Sequence, residues 1–86
     1  IKIMNKVLYF TAPWCGPCRM LGPIMDGLSG EIPFSKVDID NDMETAAKYS
    51  VRSVPTLLKI DSSGEQVGDR LVGLAQAEEI KNWYNG

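Results

Sequence analysis

The chain holds two cysteines, Cys15 and Cys18, with Gly16 and Pro17 between them. Three chemistries are open to such a pair: a structural disulfide, part of a metal site, or a redox-active dithiol. In the loop-entropy picture a bridge closing about four residues stabilises by only about 1.9 kcal/mol, against about 4.7 for a loop of a hundred, so this spacing makes a poor staple. A tetrahedral zinc site takes four ligands, whereas this sequence offers two thiols and no histidine. A metal would need carboxylates or a second subunit. The absence of histidine also removes imidazole as base or nucleophile, and most hydrolase mechanisms with it.

The redox chemistry fits the flanking residues better. Pro13 and Pro17 bracket the pair, and proline is accepted in the first turn of a helix, so a helix should open at or just after Cys15. The Cys15 sulfur then faces unpaired amides and the positive end of the helix dipole, a setting that lowers a thiol pKa from about 8.5 into the range of about 3.5–7.5. Cys18, one turn on, lies on the same helical face, near the Cα separation of about 5.5 Å that an unstrained bridge needs. It can resolve a mixed disulfide formed at Cys15. Gly16 leaves the approach to the sulfur open and Pro17 stiffens the ring.

The elements that must position this pair follow from the apolar pattern. Val7-Leu8-Tyr9-Phe10 predicts a strand over 5–10, buried on both faces. Met20, Leu21, Ile24, Met25 and Leu28 recur at helical spacing and predict a helix from Gly16 to Ser29, with Gly30 as its stop and a kink at Pro23. A second strand is expected over 34–38, and a second helix over 42–49 capped by Asp42. Pro55 should open a third strand through Ile60, because proline is tolerated at a strand's first position. Asp61-Ser62-Ser63-Gly64 reads as a tight hairpin turn into a fourth strand over 65–68, antiparallel to the third. Ile80, Trp83 and Tyr84 share one face of a last helix over 76–84. Lys59 interrupts the third strand, implying that one face reaches solvent there.

Composition bounds the rest. Eighty-six residues, 44% of them hydrophobic and 23% charged, make one globular domain spanning 1–86 and exclude a disordered or collagen-like chain. Nine Lys and Arg against eleven Asp and Glu give a net charge of −2 with no run of either sign, so there is no footprint for nucleic acid or an anionic membrane. No apolar stretch approaches the roughly 20 residues a membrane-spanning helix needs. No basic, apolar, small-residue export signal is present, and the expected location is the cytoplasm. Asp38, Asp40 and Asp42 lack the glycine and terminal glutamate of a calcium loop and read as a solvated, helix-capping turn.

Trp14-Cys15-Gly16-Pro17-Cys18 resembles the thioredoxin family's active-site motif letter for letter. The likeness extends to Pro23, Asp38-Ile39-Asp40, Val54-Pro55-Thr56 and Val72-Gly73. It implies an α/β thioredoxin-like fold with a minimal βαβαββα core, a four-stranded mixed sheet of order 2-1-3-4 and three flanking helices. It also implies a protein-disulfide reductase serving electron transport and cell redox homeostasis, with Cys15 as nucleophile, Cys18 as resolving thiol and no bound cofactor or metal. The Val54–Pro55 bond is implied to be cis. Trp14, Gly16, Pro17, Val54, Pro55 and Gly73 would form an apolar rim where an extended client pairs with backbone groups. For Trp14 the alternative is an ordinary packed aromatic, and for Gly73 a plain turn glycine. The implied partners of this expected monomer are an NADPH-linked thioredoxin reductase and disulfide-bearing client proteins. A glutathione-linked glutaredoxin-like protein, or an oxidant or isomerase on the same fold, is the alternative. Glutaredoxins usually carry Pro-Tyr between the cysteines and a double glycine near the end, where this chain has Gly16-Pro17 and the single Gly73.

Two departures stand out. Thioredoxins usually place a buried aspartate six residues before the first cysteine, near a lysine that matches Lys36. Here that position is Tyr9, and a phenol, with a reference pKa of about 10, cannot act as a carboxylate base near neutrality. Cys18 is therefore expected to deprotonate to water or against the departing thiolate. The segment before residue 5 also leaves no room for the strand and helix with which thioredoxins usually begin. Arg19 either steadies the Cys15 thiolate or is simply solvated.

Overall fold

The computed structural model describes residues 5–86. Its elements are β1 (Lys6–Thr11), α1 (Gly16–Leu28), β2 (Phe34–Asp38), α2 (Met43–Lys48), β3 (Thr56–Ile60), β4 (Leu71–Val72) and α3 (Ala77–Asn85). They form one sheet of order β2-β1-β3-β4, as expected. β1 is parallel to β2, with Val7 opposite Phe34, because α1 crosses over between them. It is antiparallel to β3, with Leu8 opposite Leu58.

The sequence from Val7 to Thr11 is buried throughout because β1 has a strand on each edge and helices on each face. Its pleat sends Val7 and Tyr9 toward Leu21, Met25 and Leu28 of α1 and Ile80 of α3. Leu8 and Phe10 go the other way, toward Val37, Leu58 and Ala46 of α2. The strand that leads into the cysteines is thus the best-anchored element of the fold.

α1 runs unbroken through Pro23, whose missing amide leaves the Arg19 carbonyl without its usual helical partner. The helix ends at Leu28, one residue before the expected Ser29. The amides of Glu31 and Ile32 both close on the Leu28 carbonyl at 2.9 Å, and Ile32 is buried. That tight turn stops the helix, and Gly30 follows it without adopting a left-handed φ. α2 starts as expected: the Thr45 amide donates to Asp42 Oδ1 at 3.0 Å and the Thr45 hydroxyl to Oδ2 at 2.7 Å. Those bonds, the hydroxyl's first, hold the Asp42 carboxyl below its ordinary value. The cap's support is therefore complete at neutral pH and is lost as pH falls through that lowered value.

Two expectations need correction. The fourth strand is Leu71–Val72, not 65–68. The Asp61–Gly64 turn does reverse the chain, and Gln66 bridges Ile60, but pairing then lapses. Gly68 takes φ +68°, and regular pairing resumes only where Leu71 meets Leu57 and Val72 meets Thr56. Five residue steps on one side run against three on the other, so the intervening residues loop out. A turn motif fixes where a hairpin begins, but not how long its ladder holds.

Lys59 is the second. It is only 4% exposed, because the pleat turns it to the same face as Leu57, toward the end of α3. Its Nζ donates to the carbonyls of Trp83 at 3.0 Å and Tyr84 at 3.5 Å and lies 5.3 Å from the centre of the Trp83 ring. A cation thus sits at the negative end of a helix. Lys59→Met, which keeps the aliphatic stem, should lower stability by about 1–2 kcal/mol through loss of this charged cap. Thermal melting checks it, and an unchanged midpoint would show that the ammonium does not hold the helix end.

Candidate active site

Leaving the sheet at Thr11, the chain turns through Ala12, Pro13 and Trp14, and the Cys15 amide donates back to the Ala12 carbonyl at 3.2 Å. Cys15 is the N-cap of α1, in an extended conformation with φ −88° and ψ 114°. Its sulfur occupies the place an Asp or Ser oxygen takes in an ordinary cap, accepting the Cys18 amide at 3.2 Å. No carboxylate lies in the first turn of α1 to oppose a negative charge there, and Pro17 stands in that turn as expected.

The two cysteines are joined as a disulfide, with their Cα atoms 5.2 Å apart. Ala12, Ile39 and Val54 enclose them in a small apolar cluster. The Cys15 Sγ lies 3.6 Å from the Val54 carbonyl oxygen, and the Val54–Pro55 bond is cis, as the resemblance implied. Gly73 donates its amide to the Pro55 carbonyl at 2.9 Å with φ +94°, which ties the segment after β4 to this centre. Gly16 has open space on its side-chain face. Trp14 is 65% exposed and Val72 59%, so an apolar surface borders the sulfurs. Trp14, Cys15, Gly16, Pro17, Val54, Pro55, Gly73 and Cys18 are thus gathered at one end of the sheet from three separate stretches of chain.

Trp14 is neither a packed core aromatic nor a free one: its indole Nε1 donates to Asp40 Oδ2 at 3.0 Å. The reading of Asp40 as merely solvated missed this, since nothing in the spacing of residues 14 and 40 marks them as neighbours. Asp38 accepts from the Asp40 amide and the Asn41 side chain, and Asp42 caps α2. Among the described residues no His, Cys, Asp and Glu group could hold a metal ion. The Arg19 guanidinium donates to the Pro13 carbonyl at 3.2 Å on the exposed side, which leaves no sign of a link to the sulfur.

Behind Cys18 lies a cleft of about 440 Å³ lined by Tyr9, Cys18, Pro23, Asp26, Lys36 and Asp38, among others. Tyr9 is 2% exposed and donates its hydroxyl to the Cys18 carbonyl at 3.2 Å. A sequence can show that a base is missing at this position, but not what the replacement bonds to.

The sequence profile of the family described as Thioredoxin matches residues 2–85. The chain belongs to the thioredoxin family. It is 40% identical over 80 residues to the thioredoxin of Rickettsia conorii, covering 88% of this chain and 74% of that protein. With the thioredoxin of Bacillus subtilis it shares 41% over 80 residues, covering 88% and 75%. The X-ray structure of Fasciola hepatica thioredoxin superposes with a TM-score of 0.84 at 39% identity, covering 98% of this chain and 81% of that one. Thioredoxins are protein-disulfide reductases, and this chain is a thiol–disulfide oxidoreductase that cycles the Cys15–Cys18 pair between dithiol and disulfide. The family uses no cofactor, its redox group being that disulfide, and family membership implies disulfide-bearing substrates and a reductase.

Gly73 offers a direct check on the local backbone. A side chain there meets no neighbour within 4 Å, so any penalty must come from φ +94°. Gly73→Ala should cost about 1–2 kcal/mol from backbone strain, read as a lower melting temperature; equal stability would show that the turn relaxes freely.

Proposed function

We propose that Cys15 is the nucleophile and Cys18 the resolving thiol of a general protein-disulfide reductase. The observation that carries this assignment is the backbone amide aimed at the Cys15 sulfur. Burial does not choose between the thiols, since they are 4% and 3% exposed. The amide does, because it stabilises the anion of the cap residue and not that of Cys18.

In the first step the Cys15 thiolate attacks a client disulfide, forming a mixed disulfide and releasing one client thiolate, which takes a proton from water. In the second, the Cys18 thiolate attacks Cys15 Sγ. The Cys15–client bond breaks, the ring closes, and the second client sulfur leaves with its electron pair and is protonated. The client gains the two electrons that the dithiol loses. Trp14, Gly16, Pro17, Val54, Pro55 and Gly73 supply the rim on which an extended client strand lies. The Val54 carbonyl close to the sulfur and the exposed faces of Trp14 and Val72 support that reading.

The reductant is an NADPH-linked thioredoxin reductase, and the chain acts as a monomer formed by one domain over residues 1–86. No described helix is long and apolar enough to cross a membrane. The chain's membership of the thioredoxin family supports the cytoplasm as its location, and a net charge of −2 with no run of either sign supports a role without a nucleic acid or membrane partner.

Reduction of a protein disulfide, with electrons from NADPH through a thioredoxin reductase, should fall to the uncatalysed level in Cys15→Ser. Cys18→Ser should instead accumulate a client cross-linked at Cys15. A cross-link trapped at Cys18 by Cys15→Ser would reverse the roles. Because Tyr9 supplies no base, wild-type turnover should keep rising above neutrality. Tyr9→Asp should move that rise to lower pH, because a carboxylate there can take the proton that the phenol does not. An unchanged pH–rate profile would make the missing carboxylate irrelevant.

A further inference from the structure

Tyr9 lies in the middle of β1, paired with Lys36 on one side and Leu57 on the other. Its ring meets the edge of Phe34 at a centroid distance of 6.3 Å and an angle of 67°. With 2% exposure this phenol has no freedom of its own. A buried hydroxyl must find a partner, and this one donates to the main-chain carbonyl of Cys18, 3.2 Å away.

The helix around Cys18 is short of bonds within its own ladder. Pro23 brings no amide and strips the Arg19 carbonyl, next after that of Cys18, of its helical partner. The Arg19 side chain ties only to the exposed Pro13 carbonyl. The bond from Tyr9 is thus the buried polar link, among the described residues, between the sheet and the first turn of α1. Cys15 is tied through its amide to Ala12, the residue that follows the same strand. Both thiols are therefore located from one strand and the residue directly after it, at positions three residues apart.

Resting on the assignment of Cys18 as resolving thiol, we propose that Tyr9 is a positioning residue for ring closure. It fixes the main chain of Cys18 so that its sulfur stays within reach of Cys15 while the latter carries a client. In that step the Cys18 thiolate, its proton given to water, forms the Cys15–Cys18 bond as the Cys15–client bond breaks. Both the extent and the rate of closure scale with the effective concentration of Cys18 at Cys15. Tyr9 raises that concentration without touching either sulfur.

Tyr9→Phe removes one oxygen and keeps the ring in its packing. The readout is the equilibrium of wild type and variant with reduced and oxidised glutathione, quantified by mass spectrometry as dithiol, Cys15–glutathione mixed disulfide and closed disulfide. Loss of one hydrogen bond should reduce the closed form relative to the mixed disulfide about threefold to tenfold, and slow its formation from the isolated mixed disulfide. A purely structural bond would lower the melting temperatures of the oxidised and reduced proteins equally and leave this ratio unchanged. That result, or a ratio shifted toward closure, would overturn the proposal. If the variant does not fold, the Cys18 carbonyl carbon shift of the wild type replaces it. A carbonyl that stays hydrogen-bonded in the glutathione adduct supports the clamp, and one released there refutes it. Because glutathione stands in for client and reductase, a failure of protein-disulfide reduction leaves this measurement standing, and would count against the function and not against Tyr9.

Discussion

A sulfur caps a helix, and the remainder of the site follows from that. Cys15 Sγ, accepting the Cys18 amide at 3.2 Å, does the work that an oxygen does in ordinary caps, so the electrostatics that stabilise the helix end also favour a thiolate there. The same geometry places Cys18 one turn deeper with its Cα 5.2 Å from that of Cys15. The donor that lowers the cost of a negative charge on Cys15 is thus the backbone of its own disulfide partner.

That cap is only as well placed as the strand before it. β1 is paired on both edges and covered on both faces, and only Ala12 to Cys15 separate its end from the start of α1. β3 enters the site through the segment that precedes it, where Val54 meets the sulfur, and β4 leaves it through Gly73, bonded to Pro55. A short β4 is enough, because its task at this end is to fix Val72 and Gly73 beside Pro55. The two pairs that do so are the ones the ladder keeps.

The parts of this arrangement legible in the sequence are those governed by local chemistry. Pro17 beside two cysteines marks a helix start, Asp42 marks the next, and the period of Met20 to Leu28 marks a buried face. The parts that were not legible depend on which residues the fold makes neighbours. Lys59 looks solvent-seeking in a strand, yet it is buried because the end of α3 presents carbonyls to it. Asp40 looks like a turn residue until Trp14 is brought across to it. The fourth strand was misplaced because Gly68 breaks pairing that Gln66 has begun, and glycine spacing does not report how far a ladder runs.

Tyr9 combines both kinds of information. Its identity shows, within the sequence, that the usual acid is absent; only the fold shows what the hydroxyl does instead. A carboxylate at a 2%-exposed position carries a desolvation cost of several kcal/mol unless it is paired. A phenol there adds aromatic contact with Phe34 and satisfies itself on a main-chain carbonyl. With the positioning role proposed above, the exchange moves the residue's contribution from proton transfer to geometry. On the proposed assignment, it leaves the proton of Cys18 to the solvent of the cleft behind it, where Lys36, Asp26 and Asp38 stand at the lining. Dithiol exchange tolerates this because the attacking atom is already held at its target, and an intramolecular displacement gains more from proximity than from any one base.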